Sequence, residues 1–157
     1  MEPVVACFGL DAAWSDRNPS AICHVDGAGR IVAEAFLGDD GEILTWITDR
    51  LEVESVVAAD LPLQVPNDTG MRPCDRAASR AYGGRGAGPH PTNRSLLVGR
   101  DGRIRGEEIA AALQALGFGG PWSTTGRTLL EVYPHPSLIE VFRLPERLRY
   151  KKGTAEE

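Results

Sequence analysis

Little in this sequence can cross-link, span a bilayer or stack. Its 157 residues include three cysteines, Cys7, Cys23 and Cys74, in no Cys-x-x-Cys spacing. That count excludes a disulfide framework and points to a reducing, cytoplasmic setting with buried or incidental thiols. The apolar runs are too short to span a membrane. The opening MEPVVACFGLD has no basic flank and reaches an acid soon after its apolar residues, unlike a secretory leader. Aromatic side chains make up 6% of the chain, too few to build a base-stacking platform. The histidines His24, His90 and His135 form no HxH or HExxH pattern, which argues against zinc. No GxSxG occurs, Cys74 has no histidine at helical spacing, and the glycines of 83–88 lack the GK[ST] ending of a phosphate loop. That glycine run reads as a flexible loop.

What is present suits one globular domain over 1–157: 42% hydrophobic and 25% charged residues. The net charge of −5 hides a segregation. Residues 1–71 hold 13 acids and 3 arginines, residues 72–105 hold 8 arginines and 2 acids, and the rest is near balance. An acidic body with a central arginine block can bind a polyanion locally. The plain alternative is a solvated, arginine-rich connection.

The apolar run Val4–Leu10 predicts a buried strand. SAICHV (20–25) and RIVAEAFL (30–37) predict two more, joined through the turn Asp26-Gly27-Ala28-Gly29 and hence antiparallel. A helix follows, capped by Asp39 with Glu42 three residues on, and with Ile43, Leu44, Ile47 and Leu51 on one face. SVVAA (55–59) predicts a fourth, central strand reached by a parallel crossover. Residues 61–105 are a long proline- and glycine-rich insertion. Within it a short helix is expected from Pro73 to near Gly83, with Arg72, Arg76 and Arg80 along one stripe. GEEIAAALQAL (106–116) is the clearest helix, TLLEVY (128–133) the fifth strand, and Ser137–Arg143 a last short helix. The order βββαβαβ predicts an α/β fold with a mixed five-stranded, ribonuclease H-like sheet.

Three acids mark strands expected to be central: Asp11 after the first, Asp60 after the fourth, Glu131 within the fifth. Sites in open α/β sheets collect at the carboxyl ends of the strands. Carboxylates gathered there repel one another unless a cation joins them, and hard oxygen ligands suit Mg²⁺ or Mn²⁺. Asp16, Asp68 and Asp75 are reserves whose loop or helix positions favour capping instead.

The segments GLDAAWSDRNPS (9–20), ADLPLQVPNDTGMRPCDRAASRAYGGRGAGPHPTNR (59–94), EVYPHPSLIEVF (131–142) and RLRYKKG (147–153) resemble domain-of-unknown-function family 429. Members of that family are regarded as predicted ribonuclease H-like nucleases. The resemblance implies a metal-dependent nuclease-like domain with Asp11, Asp60 and Glu131 on its acidic positions. It also implies Arg72, Asp75 and Arg76 as site-facing residues. Family members usually continue past the Tyr-Lys-Lys-Gly motif into a further helix. Here only four residues follow it, so the C-terminal helix of the fold is expected to be missing. A sheet face left uncovered would favour self-association.

The leading expectation is a Mg²⁺- or Mn²⁺-dependent phosphodiesterase acting on nucleic acid, DNA or RNA. Asp11 and Asp60 bridge the metals, Glu131 binds one or orients water, and Arg72, Arg76, Arg80 and Arg94 hold phosphates beside them. One rival is a catalytically inactive module of the same fold that binds nucleic acid or a protein partner. Another is an enzyme for a small phosphorylated metabolite.

Overall fold

Alternate residues of Val5–Asp11 (β1) are buried, so the first apolar run has one face in a core and one outside it. The computed structural model containing this strand describes residues 5–13, 18–124 and 126–149. Asp16 and the motif residues 150–153 lie outside that range. β1 is the centre of a five-stranded sheet. It pairs antiparallel with Ser20–Val25 (β2), which pairs antiparallel with Ile31–Leu37 (β3). On its other side β1 runs parallel to Glu54–Asp60 (β4), and β4 runs parallel to Arg127–Glu131 (β5). The order β3-β2-β1-β4-β5 is the mixed, ribonuclease H-like arrangement that the order of elements predicts.

Two helices line one face of the sheet. The first, Asp40–Thr48 (α1), begins as the sequence suggests: Asp39 Oδ1 accepts from the Glu42 amide at 2.8 Å. Glu42 returns the favour one residue earlier than a standard capping box, accepting from the Gly38 amide at 2.7 Å. Ile43 and Ile47 of α1 join Ala6, Phe8, Leu10, Ile22, Val57, Ala59 and Leu129 of the sheet in one core. Ile109, Ala110 and Leu113 of the second helix, Arg105–Ala115 (α4), complete it. The other phase of the central strands, with Cys7, Val56, Ala58 and Leu130, is half-buried rather than open.

The chain separates into two compact units. One comprises the chain up to Gln64 together with Leu97–Val132, and holds the sheet, α1 and α4. The other comprises Val65–Leu96 and the chain from Tyr133 onward. It contains Pro73–Tyr82 (α2), most of the short turn Arg94–Leu97 (α3) and Pro134–Val141 (α5). The insertion is therefore not a loose connection. Asn67 Nδ2 donates to the carbonyls of Thr69 and Thr92 at 3.0 and 2.9 Å, and Asn93 Nδ2 to that of Gly70 at 2.8 Å. These side-chain amides replace the regular ladder that a proline-rich segment cannot form.

Three local expectations need correction. The glycine run is not a flexible loop: Gly83–Arg85 form a 3₁₀ turn, closed by Gly86 at φ 73°, where only glycine is unstrained. Arg85 fastens this turn to the C-terminal stretch, with Nη1 on Glu140 Oε1 at 3.0 Å, Nε on the Pro145 carbonyl at 3.3 Å, and Nη2 on the Leu144 carbonyl. The last helix starts at Pro134 rather than Ser137, and β5 ends at Glu131 rather than Tyr133. Prolines 134 and 136 both fall in the first helical turn, where a missing N–H is harmless. Among the described residues no helix is long and apolar enough to cross a membrane.

Candidate functional site: paired carboxylates at the strand ends

Parallel pairing between β1 and β4 sets Leu10 opposite Ala59 and Asp11 opposite Asp60. Opposed residues of a parallel pair share a face. Leu10 and Ala59 are buried, 2% and 0% exposed, so the next residue on each strand turns to the other side. Asp11 and Asp60 thus stand side by side at the carboxyl ends of the two central strands, Asp11 exposed and Asp60 half-buried. Neighbouring strands lie about 4.8 Å apart, which puts two such carboxylates within reach of one cation.

The third acid is placed differently. Glu131 is opposite Ala59 and in the pleat phase of the buried Leu129, the phase opposite to that of the two aspartates. Its Oε2 accepts from the Leu63 amide at 2.9 Å, so it fastens the turn that follows Asp60. Among the described residues no group of three or more His, Cys, Asp or Glu side chains is placed to hold a metal ion. What is present is a pair. A pair of carboxylates is a poor cage for a stripped cation but suits Mg²⁺ or Mn²⁺, which keep several waters and take one or two carboxylates.

The arginines divide into those used by the fold and those left outside it. Arg72 is not on an exposed stripe. It is 7% exposed, and its Nε and Nη2 hold Asp75 Oδ2 and Oδ1 at 2.9 and 2.8 Å, a fork on a carboxylate that is itself 5% exposed. Asp75 also accepts from the Arg72 amide at 3.3 Å, closing the start of α2. Burial pushes the Asp75 carboxyl up, but the hydrogen bonds and charge of Arg72, with a hydrogen bond from Thr92, outweigh it and hold the group below its ordinary range. Arg94 Nη1 donates to the Val65 carbonyl at 3.0 Å within the same unit. Arg76 and Arg80 are exposed on α2, and Arg76 Nη1 donates to the Met71 carbonyl at 2.6 Å, just before the helix. The expected stripe of three is therefore two exposed guanidinium groups beside a buried ion pair. The Arg-Pro-Cys-Asp segment already contained that pair at i, i+3 spacing, but nothing in its pattern distinguishes a buried fork from a solvated one.

No curated protein and no solved structure matched the chain. A family model described as a protein of unknown function, DUF429, matches residues 9–157, a span that includes both aspartates, Glu131 and the Arg72–Asp75 pair. By that match the chain belongs to the DUF429 family.

Proposed function

We propose that this protein is a divalent-metal-dependent phosphodiesterase of the nuclease type, with Mg²⁺ or Mn²⁺ held between Asp11 and Asp60. The observation that carries the reading is the register of β1 and β4, which sets the two carboxylates opposite one another at the strand ends. Two carboxylates so placed repel one another, and a cation relieves that repulsion. When bound, the ion supplies Lewis acidity toward phosphoryl oxygen and toward water. Asp11 and Asp60 orient it, and Glu131 acts through the backbone, keeping Leu63 and hence the end of β4 in place. The second unit, taken by itself, carries exposed guanidinium groups, Arg76 and Arg80, whose chemistry suits phosphate oxygens. Exposed arginines at i, i+4 spacing suit a polymer of phosphates, which makes nucleic acid the substrate class of the proposal.

Hydrolysis of a panel of DNA and RNA substrates with Mn²⁺ tests this. Asp60→Asn is expected to lower the rate at least about 100-fold, because the remaining carboxylate holds the ion in one orientation only. Turnover by Asp60→Asn at the wild-type rate would remove the centre.

One observation favours a second reading, a binding module of the same fold without catalysis: among the described residues two acids share the site, and Glu131 is turned to the backbone. That reading predicts salt-sensitive nucleic-acid binding, weakened in Arg76→Glu/Arg80→Glu, with no metal-dependent turnover.

A further inference from the structure

The first turn of α4 touches both strand ends that carry the aspartates. Arg105 reaches the β1 side. Its Nη1 donates to the carbonyl of Ala13, two residues after Asp11. Its Nη2 donates to Ser20 Oγ at 3.2 Å, and that oxygen also accepts from the Ala13 amide at 3.2 Å. Nε and Nη2 meet Asp40 Oδ1 at 2.8 and 2.7 Å, which anchors the guanidinium to the start of α1. Ser20 is 0% exposed, so this hub is built into the fold rather than resting on its surface. The next residue, Gly106, reaches the β4 side. It is buried, and its backbone lies so close to Pro62, two residues after Asp60, that a Cβ there would stand 1.9 Å from the Pro62 carbonyl oxygen.

We infer that Arg105 and Gly106 form a strut that sets the spacing of Asp11 and Asp60: they are positioning residues for the carboxylate pair. The symmetry of the contacts supports this, since each falls two residues beyond an aspartate and the two are adjacent on one rigid helix. A planar guanidinium is required on the β1 side, because three separate acceptors are met by one fork. Arg105, the last arginine of the 72–105 block, is thereby assigned to the frame. The inference deepens the proposed metal site and, in its consequence for the ion, rests on it.

Two readouts on the full chain separate the two ideas. Mn²⁺ binding is followed by the loss of the free-ion electron paramagnetic resonance signal, and backbone amide exchange is followed at Ala12, Ala13, Leu61 and Leu63 without metal. Arg105→Ala is compared with Arg105→Lys and with Arg127→Ala. Arg127 holds the other end of α4, with Nη1 on the Leu116 carbonyl at 2.6 Å, and is a control for general loosening of the helix. Arg105→Ala is expected to weaken Mn²⁺ binding about 10-fold or more and to speed exchange at 12–13. Arg105→Lys, which keeps the charge but not the fork, is expected to recover part of both. Arg127→Ala is expected to lower the melting temperature yet leave Mn²⁺ affinity unchanged. If Arg105→Ala leaves exchange at 12–13 as it was, or if Arg127→Ala weakens Mn²⁺ equally, the strut is wrong. Should the wild-type chain bind no Mn²⁺ while exchange still responds to Arg105, the metal site fails and the backbone role of Arg105 stands alone.

Discussion

Alanine at Gly106 is expected to destabilise the protein by about 3 kcal/mol, the upper part of the range for forcing extra atoms into a packed interior. Helix propensity alone predicts the reverse, a gain approaching about 1 kcal/mol when glycine becomes alanine within a helix. Steric contact decides the sign. The added methyl would meet the Pro62 carbonyl oxygen at 1.9 Å and its carbon at 2.9 Å, and both belong to backbone rather than to a side chain that can swing away. Either α4 or the turn after β4 must retreat, and Leu61, Ile109 and Ala110 sit in the same core. For a chain of this size the loss corresponds to a fall in melting temperature of roughly 6–12 °C, readable by calorimetry or circular dichroism. An unchanged or raised melting temperature would mean that Gly106 has more room than the structure gives it.

A comparable loss is expected from Arg72→Ala, about 3–5 kcal/mol, because it leaves the Asp75 carboxylate buried and without its fork. The paired replacement Arg72→Met/Asp75→Leu removes both charges and is expected to cost much less than either single change, since neither partner is left stranded. Chemical denaturation of the two single variants and the double closes the cycle. Additive losses would show that the pair acts through packing rather than charge. The same pair gives a pH dependence of stability. Asp75 is held below its unfolded value near 3.8, so its contribution is fully present above that value. It is lost as pH falls through the lower, folded-state value. Wild-type stability is therefore expected to drop on acidification below about pH 4, and Asp75→Asn is expected to flatten that part of the curve.

The sheet was legible in the sequence because its signals are local. Continuous apolar runs, a hairpin turn at Asp26–Gly29 and a capped helix at Asp39 each specify their element without reference to anything distant. Asp11 and Asp60 were legible for a related reason: a charge at the end of an apolar strand is visible in one dimension, and parallel pairing then brings the two together. Glu131 marks where that reasoning stops. It also follows an apolar run, but register and pleat phase decide its direction, and shifting a strand by one residue turns every side chain to the other face. The arginines were harder still. Arg72, Arg76, Arg80, Arg94 and Arg105 look alike in sequence, yet four of them meet carboxylates or carbonyls of the fold, Arg72 and Arg76 near the start of their own helix and Arg94 and Arg105 across long stretches of chain. Charge composition locates such residues without telling a buried fork from an exposed one. Gly106 carried no signal at all, since a glycine near a helix start is ordinary until the carbonyl above it is known.

The central claim is that Asp11 and Asp60 together hold one divalent ion, and anomalous scattering from crystals soaked in Mn²⁺ tests it most directly. A single strong peak is expected between the two carboxylates, absent from crystals of Asp11→Asn/Asp60→Asn grown in the same form. A peak elsewhere that survives the double replacement, or none at these strand ends at millimolar Mn²⁺, contradicts it.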